Sequence, residues 1–306
     1  MPPATAITPY ELIVELHRAE DLPEMDFGVA GGKCDAYGKV EFMGISAESE
    51  VMKSQSPDWT TFPTHPGVPE IIKLSFGMPE GGKLSSNIVT VAVWDKDEIG
   101  ADDVVGFAKL DMRKIRENPK KWSRPFWVYF YGAPQDLSAG QSLGSLLGKF
   151  GSLFNNEEAP QPLPQDNLQE LQKLMNLGKV DGCLYRGRAL IAASIHPKGE
   201  QPAYVWKPNP PEVEWLLCVE LYEACDLPFE RDPKIVVTVG PHQAETLELV
   251  KSESSGSRAQ WFQTTYMKLR FPDDLEQVPQ IFVNLYKGDE RTSFVKFSPQ
   301  SIQGFE

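Results

Sequence analysis

Five aspartates in two clusters constrain this chain more than any other feature: Asp26 and Asp35 in one, Asp95, Asp97 and Asp103 in the other. Asp26 and Asp95 are 69 positions apart, so only folding can unite the clusters. Each cluster follows a strand-like run, LIVELHRAEDL at 12–22 and IVTVAVW at 88–94, and each sits among glycine-rich loop residues. That is the layout of two loops at one end of a β-sandwich. Like charges converging there repel one another by several kcal/mol at an effective dielectric of about 20. A hard cation removes the cost. Calcium takes roughly six to eight oxygen ligands in flexible geometry, which suits carboxylates on loops better than the rigid octahedron of magnesium.

Spacing inside the second cluster sharpens this reading. Asp95-Lys96-Asp97 places two carboxylates on one side of an extended segment, because alternate strand residues share a face. Asp103 follows across Ile99-Gly100-Ala101, where the chain can turn back, and Val104-Val105-Gly106 begins the next strand. The pattern V-W-D-x-D-x5-D-x2-G resembles the third calcium loop of C2 domains, and MDFGVAGGKCDAYGKV at 25–40 resembles their first loop. Trp59, in SPDW, stands where that family carries a Pro-x-Trp. The first loop departs from the commoner pattern, with its aspartates nine residues apart and Val29 to Lys33 resembling an insertion. A lone D-x-D is usually a solvated turn; two such clusters, each behind a β-period run, are a more specific signal. Asp102, Asp21 and Glu24 read as solvated bystanders.

Composition bounds the alternatives. The 306 residues suffice for two domains with cores of their own. With 26 prolines, 24 glycines and recurrent short alternating runs, the chain reads as all-β. A net charge of −13 argues against nucleic acid as a partner. No apolar run reaches the roughly 20 residues that span a bilayer, and the proline-rich start lacks the basic and apolar regions of a signal peptide. The expected location is therefore cytoplasmic, peripheral at membranes. Cys34, Cys183, Cys218 and Cys225 show neither zinc spacing nor a disulfide framework.

Strands are expected at about 10–18, 36–43, 69–76, 88–94, 104–111 and 126–131, with VMKSQ at 51–55 as a seventh. After FWVYFYGAP at 126–134 no strand signal appears for some fifty residues, until YRGRALIAASIH at 185–196. Too few residues precede Tyr10 for an additional first strand, so the closing strand must come from that C-terminal side. Trp127 to Pro134, a polar insertion and Tyr185-Arg186-Gly187-Arg188 together resemble the ferlin family, whose C2 domains show a Trp-x-x-x-Tyr-Gly-x-Pro segment and a Tyr-Arg-Gly-Arg strand. The following WLLCVELYEACDLP, PKIVVTVGP, VPQIFVNLYKGD and TSFVKF resemble the degenerate C2-like segment found next in ferlins.

The resemblance implies an eight-stranded antiparallel C2 β-sandwich over 8–196, interrupted by a partly helical insertion at about 133–182. A linker at 197–212 and a smaller, degenerate or incomplete C2-like module at 213–306 follow. Within the insertion, Leu143, Leu146, Leu147, Phe150 and Phe154 recur at helical spacing, and a second helix is expected from an Asp166 N-cap to Gly178. The second module offers Asp226, Asp232, Asp289 and Glu290, with Tyr286 at the place of the first third-loop aspartate, so it reads as calcium-blind.

Three functions compete. Calcium held by Asp26, Asp35, Asp95, Asp97 and Asp103 would let the loops dock on anionic phospholipid, with Phe27, Val29 and Ile99 entering the headgroup region. Buried in lipid, each apolar side chain contributes about 1–2 kcal/mol. The family resemblance implies a setting in vesicle docking, membrane fusion or membrane repair, with membrane-fusion proteins as partners. The alternative is a calcium-independent scaffold whose two C2-like modules bind proteins. An enzyme is the third, but no nucleophile elbow, phosphate-cradling loop or zinc motif occurs, and His17, His65, His196 and His242 lie scattered.

Overall fold

The computed structural model describes residues 6–24, 34–81, 83–97, 102–133, 174–175, 182–200, 205, 207–227, 233–246, 251–252, 258–288 and 290–302. They fall into two compact units. One holds the described residues up to Ala133 together with those from Leu174 to Pro210, the other those from Pro211 onward.

The first unit is built on strands β1 (Ile7–Glu20), β2 (Asp35–Phe42), β3 (Ile45–Glu48), β4 (Met52–Lys53), β5 (Glu70–Pro79), β6 (Ile88–Asp95) and β7 (Asp103–Asp111). Two short helices, α1 (Met112–Glu117) and α2 (Pro119–Trp122), precede β8 (Phe126–Gly132) and β9 (Leu184–Pro197). These nine strands form one antiparallel path in the order β3-β2-β6-β7-β8-β9-β1-β5, with β4 beside β2. The alternation in sequence is realised as burial: Ile72, Leu74 and Phe76 of β5 face the core while Lys73 and Ser75 are exposed. Val89, Val91 and Val93 of β6 and Leu12, Val14 and Leu16 of β1 pack from their own strands into the same core. Trp59 is fully buried there, and its Nε1 donates to the Glu50 carbonyl at 3.0 Å, so the indole's polar edge is satisfied.

β9 enters between β8 and β1, pairing antiparallel with both. The closing strand therefore does come from beyond the insertion. Its near-continuous apolar stretch Ala189–Ala193 is buried throughout, and α1 and α2 pack against the strand. One strand expectation is narrowed. Between 51 and 55 only Met52–Lys53 bridges β2, and the chain instead makes β3 just before it, joined to β2 by a tight turn at Met43 and Gly44, both with positive φ (52° and 78°). The apolar periodicity at 143–154 lies outside the described residues, as does the 166–178 helix except for Leu174–Met175, which are helical, with Met175 buried.

The second unit contains β10 (Glu212–Ala224), β11 (Pro233–Val239), β12 (His242–Glu245), β13 (Lys251–Ser252), β14 (Ala259–Pro272), β15 (Ile281–Lys287) and β16 (Glu290–Phe297). They form a three-stranded sheet, β10-β14-β13, and a four-stranded sheet, β12-β11-β15-β16. Trp261, Phe271, Val237 and Val239 are at most 1% exposed. No helix among the described residues is long and apolar enough to cross a membrane.

Candidate functional site

The site is assembled by strand register. Asp35 opens β2, Asp95 closes β6 and Asp103 opens β7; Ala36 pairs with Asp95, and Asp95 with Asp103, so three adjacent strands end together. Asp95 is 2% exposed, and its Oδ1 accepts the Asp35 backbone N–H at 2.6 Å, which fixes the carboxylate to the start of β2. The Lys96 N–H donates in turn to the Asp35 carbonyl at 2.9 Å, so the chain beyond β6 stays against β2. Asp97 is the next residue, half-buried, and Asp103 is exposed. Asp26 on the first loop, and Phe27, Val29 and Ile99 at the expected tips, lie outside the described residues.

Asp102 is no bystander. Its Oδ2 accepts from the Tyr37 hydroxyl at 2.8 Å and from Lys96 Nζ at 2.9 Å, and its Oδ1 accepts the Asp97 N–H at 3.3 Å. The Lys96 ammonium, then the Tyr37 hydroxyl, hold this carboxyl below the usual aspartate range. The same contacts raise the Lys96 ammonium, and burial together with Asp102 pushes the Tyr37 phenol well up. Tyr37 itself lies stacked beside Trp94, centroids 6.5 Å apart. Asp102 therefore links Lys96 and Asp97, just beyond β6, to Tyr37 of β2. Nothing local in sequence announces this, since Tyr37 and Asp102 are 65 residues apart.

A second cation is already at the site. Lys53 Nζ, on β4, stands 2.8 Å from Asp35 Oδ2, with the lysine side chain 69% exposed. The donor set suits a hard ion, since it consists of carboxylate oxygens on neighbouring strand ends. Among the described residues, however, no three acidic, histidine or cysteine side chains come close enough to hold a metal ion.

The Tyr-Arg-Gly-Arg strand builds the adjacent support. Arg188 Nη2 is 2.7 Å from Glu20 Oε2, and its guanidinium lies 4.0 Å from the Trp127 ring centroid. The Tyr185 hydroxyl donates to Asp21 Oδ2 at 3.1 Å, so Asp21 too has a fixed partner. Gly187 has φ +106°, and a Cβ there would sit 2.7 Å from the Glu20 carbonyl oxygen. Buried Arg186 donates from Nη2 to the Ala133 carbonyl, tying β9 to the end of β8, and burial lowers its pKa.

The equivalent end of the second unit carries different chemistry. β2 and β11 each pass through a two-residue turn into a four-residue strand, so Pro233 matches Ala36. Pro233 pairs with Lys287 as Ala36 pairs with Asp95. Lys287, one position beyond Tyr286, is thus the residue standing at the place of Asp95. Asp232 and Asp289 lie outside the described residues.

Comparison with known proteins gives the following. Residues 10–124 match the C2 domain family. Myoferlin of Homo sapiens is 23% identical over 243 residues, which cover 73% of this chain and 11% of that protein. Myoferlin of Xenopus tropicalis is 24% identical over 211 residues, 62% of this chain and 10% of that protein. The chain therefore spans about a tenth of the length of the relatives it matches. Among solved structures, the calcium-bound pair of C2 domains of extended-synaptotagmin 2 aligns at 13% identity and a TM-score of 0.35, covering 96% of this chain and 85% of that one.

Proposed function

We propose that this chain, whose residues 10–124 are a ferlin-like C2 domain, docks on anionic phospholipid in a calcium-dependent way through the loops that follow β1 and β6. The observation that carries the reading is the convergence of Asp35, Asp95 and Asp103 on three adjacent strand ends, with Asp95 buried and held by the Asp35 N–H. Asp26, Asp35, Asp95, Asp97 and Asp103 would hold the ion, and calcium bound there would offset the carboxylate charge and share its remaining coordination with lipid phosphate or carboxylate oxygens.

The chain's own residues supply the rest. The Asp35 N–H orients the Asp95 carboxylate, Asp102 with Tyr37 and Lys96 holds the start of the third loop, and Lys53 offsets part of the charge before the ion binds. Phe27, Val29 and Ile99 would enter the headgroup layer. The second unit carries an ammonium, Lys287, in the register position of Asp95, which supports a calcium-blind role for it. The cellular setting that fits is docking before vesicle fusion or repair, in a chain without catalysis of its own.

A calcium titration of binding to phosphatidylserine-containing liposomes tests this. Binding should require calcium, persist at physiological salt, where surface charges are screened within about 8 Å, and fall sharply when Phe27, Val29 and Ile99 are all replaced by alanine. Calcium-independent binding would favour the protein scaffold instead, and undiminished binding by the triple variant would reject insertion.

A further inference from the structure

The chain as a whole is acidic, with 43 Asp and Glu against 30 Lys and Arg, yet six of those cations fall within residues 113–124, RKIRENPKKWSR. Folding turns them outward. Met112, Ile115 and Trp122 are buried in the core and fix α1 and α2 against β9, which leaves Arg113, Lys114, Arg116, Lys120 and Arg124 exposed and Lys121 half-buried. Asp111 caps α1 and holds Arg113, Oδ2 to Nη2 at 2.7 Å. Lys121 Nζ lies 5.3 Å from the Trp122 ring centroid. The two helices and the residue before them set only Asp111 and Glu117 against the six cations.

This patch lies at the end of the first unit away from the aspartates. β7 starts at Asp103, beside Asp95, and ends at Asp111, where α1 begins. Its nine residues, at about 3.3 Å per step, carry the chain about 26 Å. Physiological salt screens surface charge within about 8 Å, so the acidity of the loop end does not cancel the patch. Apolar side chains stand beside it. Ile88 pairs with Asp111 and is 54% exposed. Phe42 pairs with Val89, which brings the turn at Met43 and Gly44 next to Ile88, and Met43 and Ile45 are 37% and 43% exposed.

We propose that the exposed face of α1 and α2 is a second membrane-docking surface, which takes anionic phospholipid headgroups without calcium and lets the first unit bridge two bilayers, one at each end. Cations that meet the headgroups and apolar side chains that enter the interface are the combination a bilayer accommodates. An acidic peptide would satisfy Lys114, Arg116, Lys120 and Arg124 but leave Ile88, Met43 and Ile45 in water. Each cation near an anionic bilayer strengthens attachment about fivefold, so four net charges amount to roughly millimolar attachment. The patch alone therefore does not hold a single chain, and calcium still governs first contact. Many chains docked on one vesicle present the patch together and capture a second vesicle through avidity. The first contact rests on the calcium reading above; the second does not.

Two arms test this on the whole chain. In the first, without calcium and at physiological salt, a histidine tag appended after Glu306 holds the chain on phosphatidylcholine vesicles that carry a nickel lipid, and labelled phosphatidylserine vesicles are offered. The wild type and Asp95→Asn should both capture them. Replacing Lys114, Arg116, Lys120 and Arg124 together by glutamine should raise the lipid concentration for half-capture at least about 100-fold. Glutamate at the same four positions should abolish capture, and an unchanged Tm shows that either variant is folded. No capture by the wild type, equal capture of phosphatidylcholine vesicles, undiminished capture by either variant, or binding of soluble polyglutamate in place of vesicles would overturn the proposal. In the second arm, untagged chain with calcium should cluster phosphatidylserine vesicles, whereas the glutamine variant should bind them without clustering. Equal clustering by that variant overturns the bridging. Absence of calcium-dependent binding in the wild type would instead refute the loop site, and the first arm would still decide the patch.

Discussion

Replacing Asp95 by Asn separates the fold from the ion more cleanly than any other change at the loop end. The side chain is 2% exposed and accepts the Asp35 N–H at 2.6 Å, and asparagine keeps both the shape and that acceptor. What is lost is charge. Hydrogen bonds to charged groups contribute about 1.5–3 kcal/mol and neutral ones about 0.5–1.5, so the weaker bond costs Asp95→Asn about 1 kcal/mol. Relief of repulsion between the carboxylates offsets it, and the calcium-free Tm should fall by no more than roughly 2–4 °C. Calcium at about 100 times its Kd adds about 2.7 kcal/mol to a folded state that alone binds it. The wild-type transition should therefore rise by roughly 5–10 °C between chelator and saturating calcium, and that of Asp95→Asn should not move. Scanning calorimetry reads both quantities. An equal calcium-dependent rise in the variant would refute the assignment of Asp95 as a ligand, and no rise in the wild type would refute the site.

The other expectations follow from neighbouring contacts. Lys53→Met removes an ammonium that competes for Asp35; because the pair is exposed and thus contributes about 0.2–1 kcal/mol, calcium affinity by titration calorimetry should tighten by about 1.4- to 5-fold, and weaker binding would contradict the competition. Gly187→Ala forces a Cβ to 2.7 Å from the Glu20 carbonyl oxygen at φ +106°; strain and overpacking together should cost about 2–4 kcal/mol in urea unfolding, and a neutral result would show that β9 can shift. The Asp102 carboxyl is held below its ordinary value by Lys96 and Tyr37. Its contribution is therefore complete above that ordinary value of about 4 and is lost as pH falls below it through the folded value. Acid titration followed by tryptophan fluorescence should show this loss in the wild type, and Asp102→Asn should lack it.

Much of the first unit was legible because its signals are local. Alternation along 12–18, 70–76 and 88–94 became β1, β5 and β6, with the apolar positions facing one core, since a strand's two faces follow from residue parity alone. The aspartates flanking those runs fall at strand ends, Asp35 opening β2, Asp95 closing β6 and Asp103 opening β7, and register makes those three ends adjacent. Among the described residues, however, no three acidic, histidine or cysteine side chains come close enough to hold a metal ion. The strand expected at 51–55 is present only as Met52–Lys53, and β3 before it carries no sequence signal, because a short polar stretch has little periodicity and which segment edges β2 depends on the turn at Met43 and Gly44.

What only the tertiary structure decided involves partners far apart in sequence. Asp102 looks like any exposed loop acid until folding brings Tyr37 within 2.8 Å, and Lys53 acquires its role only when β4 lies beside Asp35. Lys287 was recognised as the residue at the place of Asp95 through its pairing with Pro233, one position from where linear spacing suggested. Parity along a strand tells which side chains turn inward, but not what packs over that face. LIVEL and LCVEL, nearly the same in sequence, accordingly end up differently covered: Leu12, Val14 and Leu16 are buried, whereas Leu217, Val219 and Leu221 are only partly so.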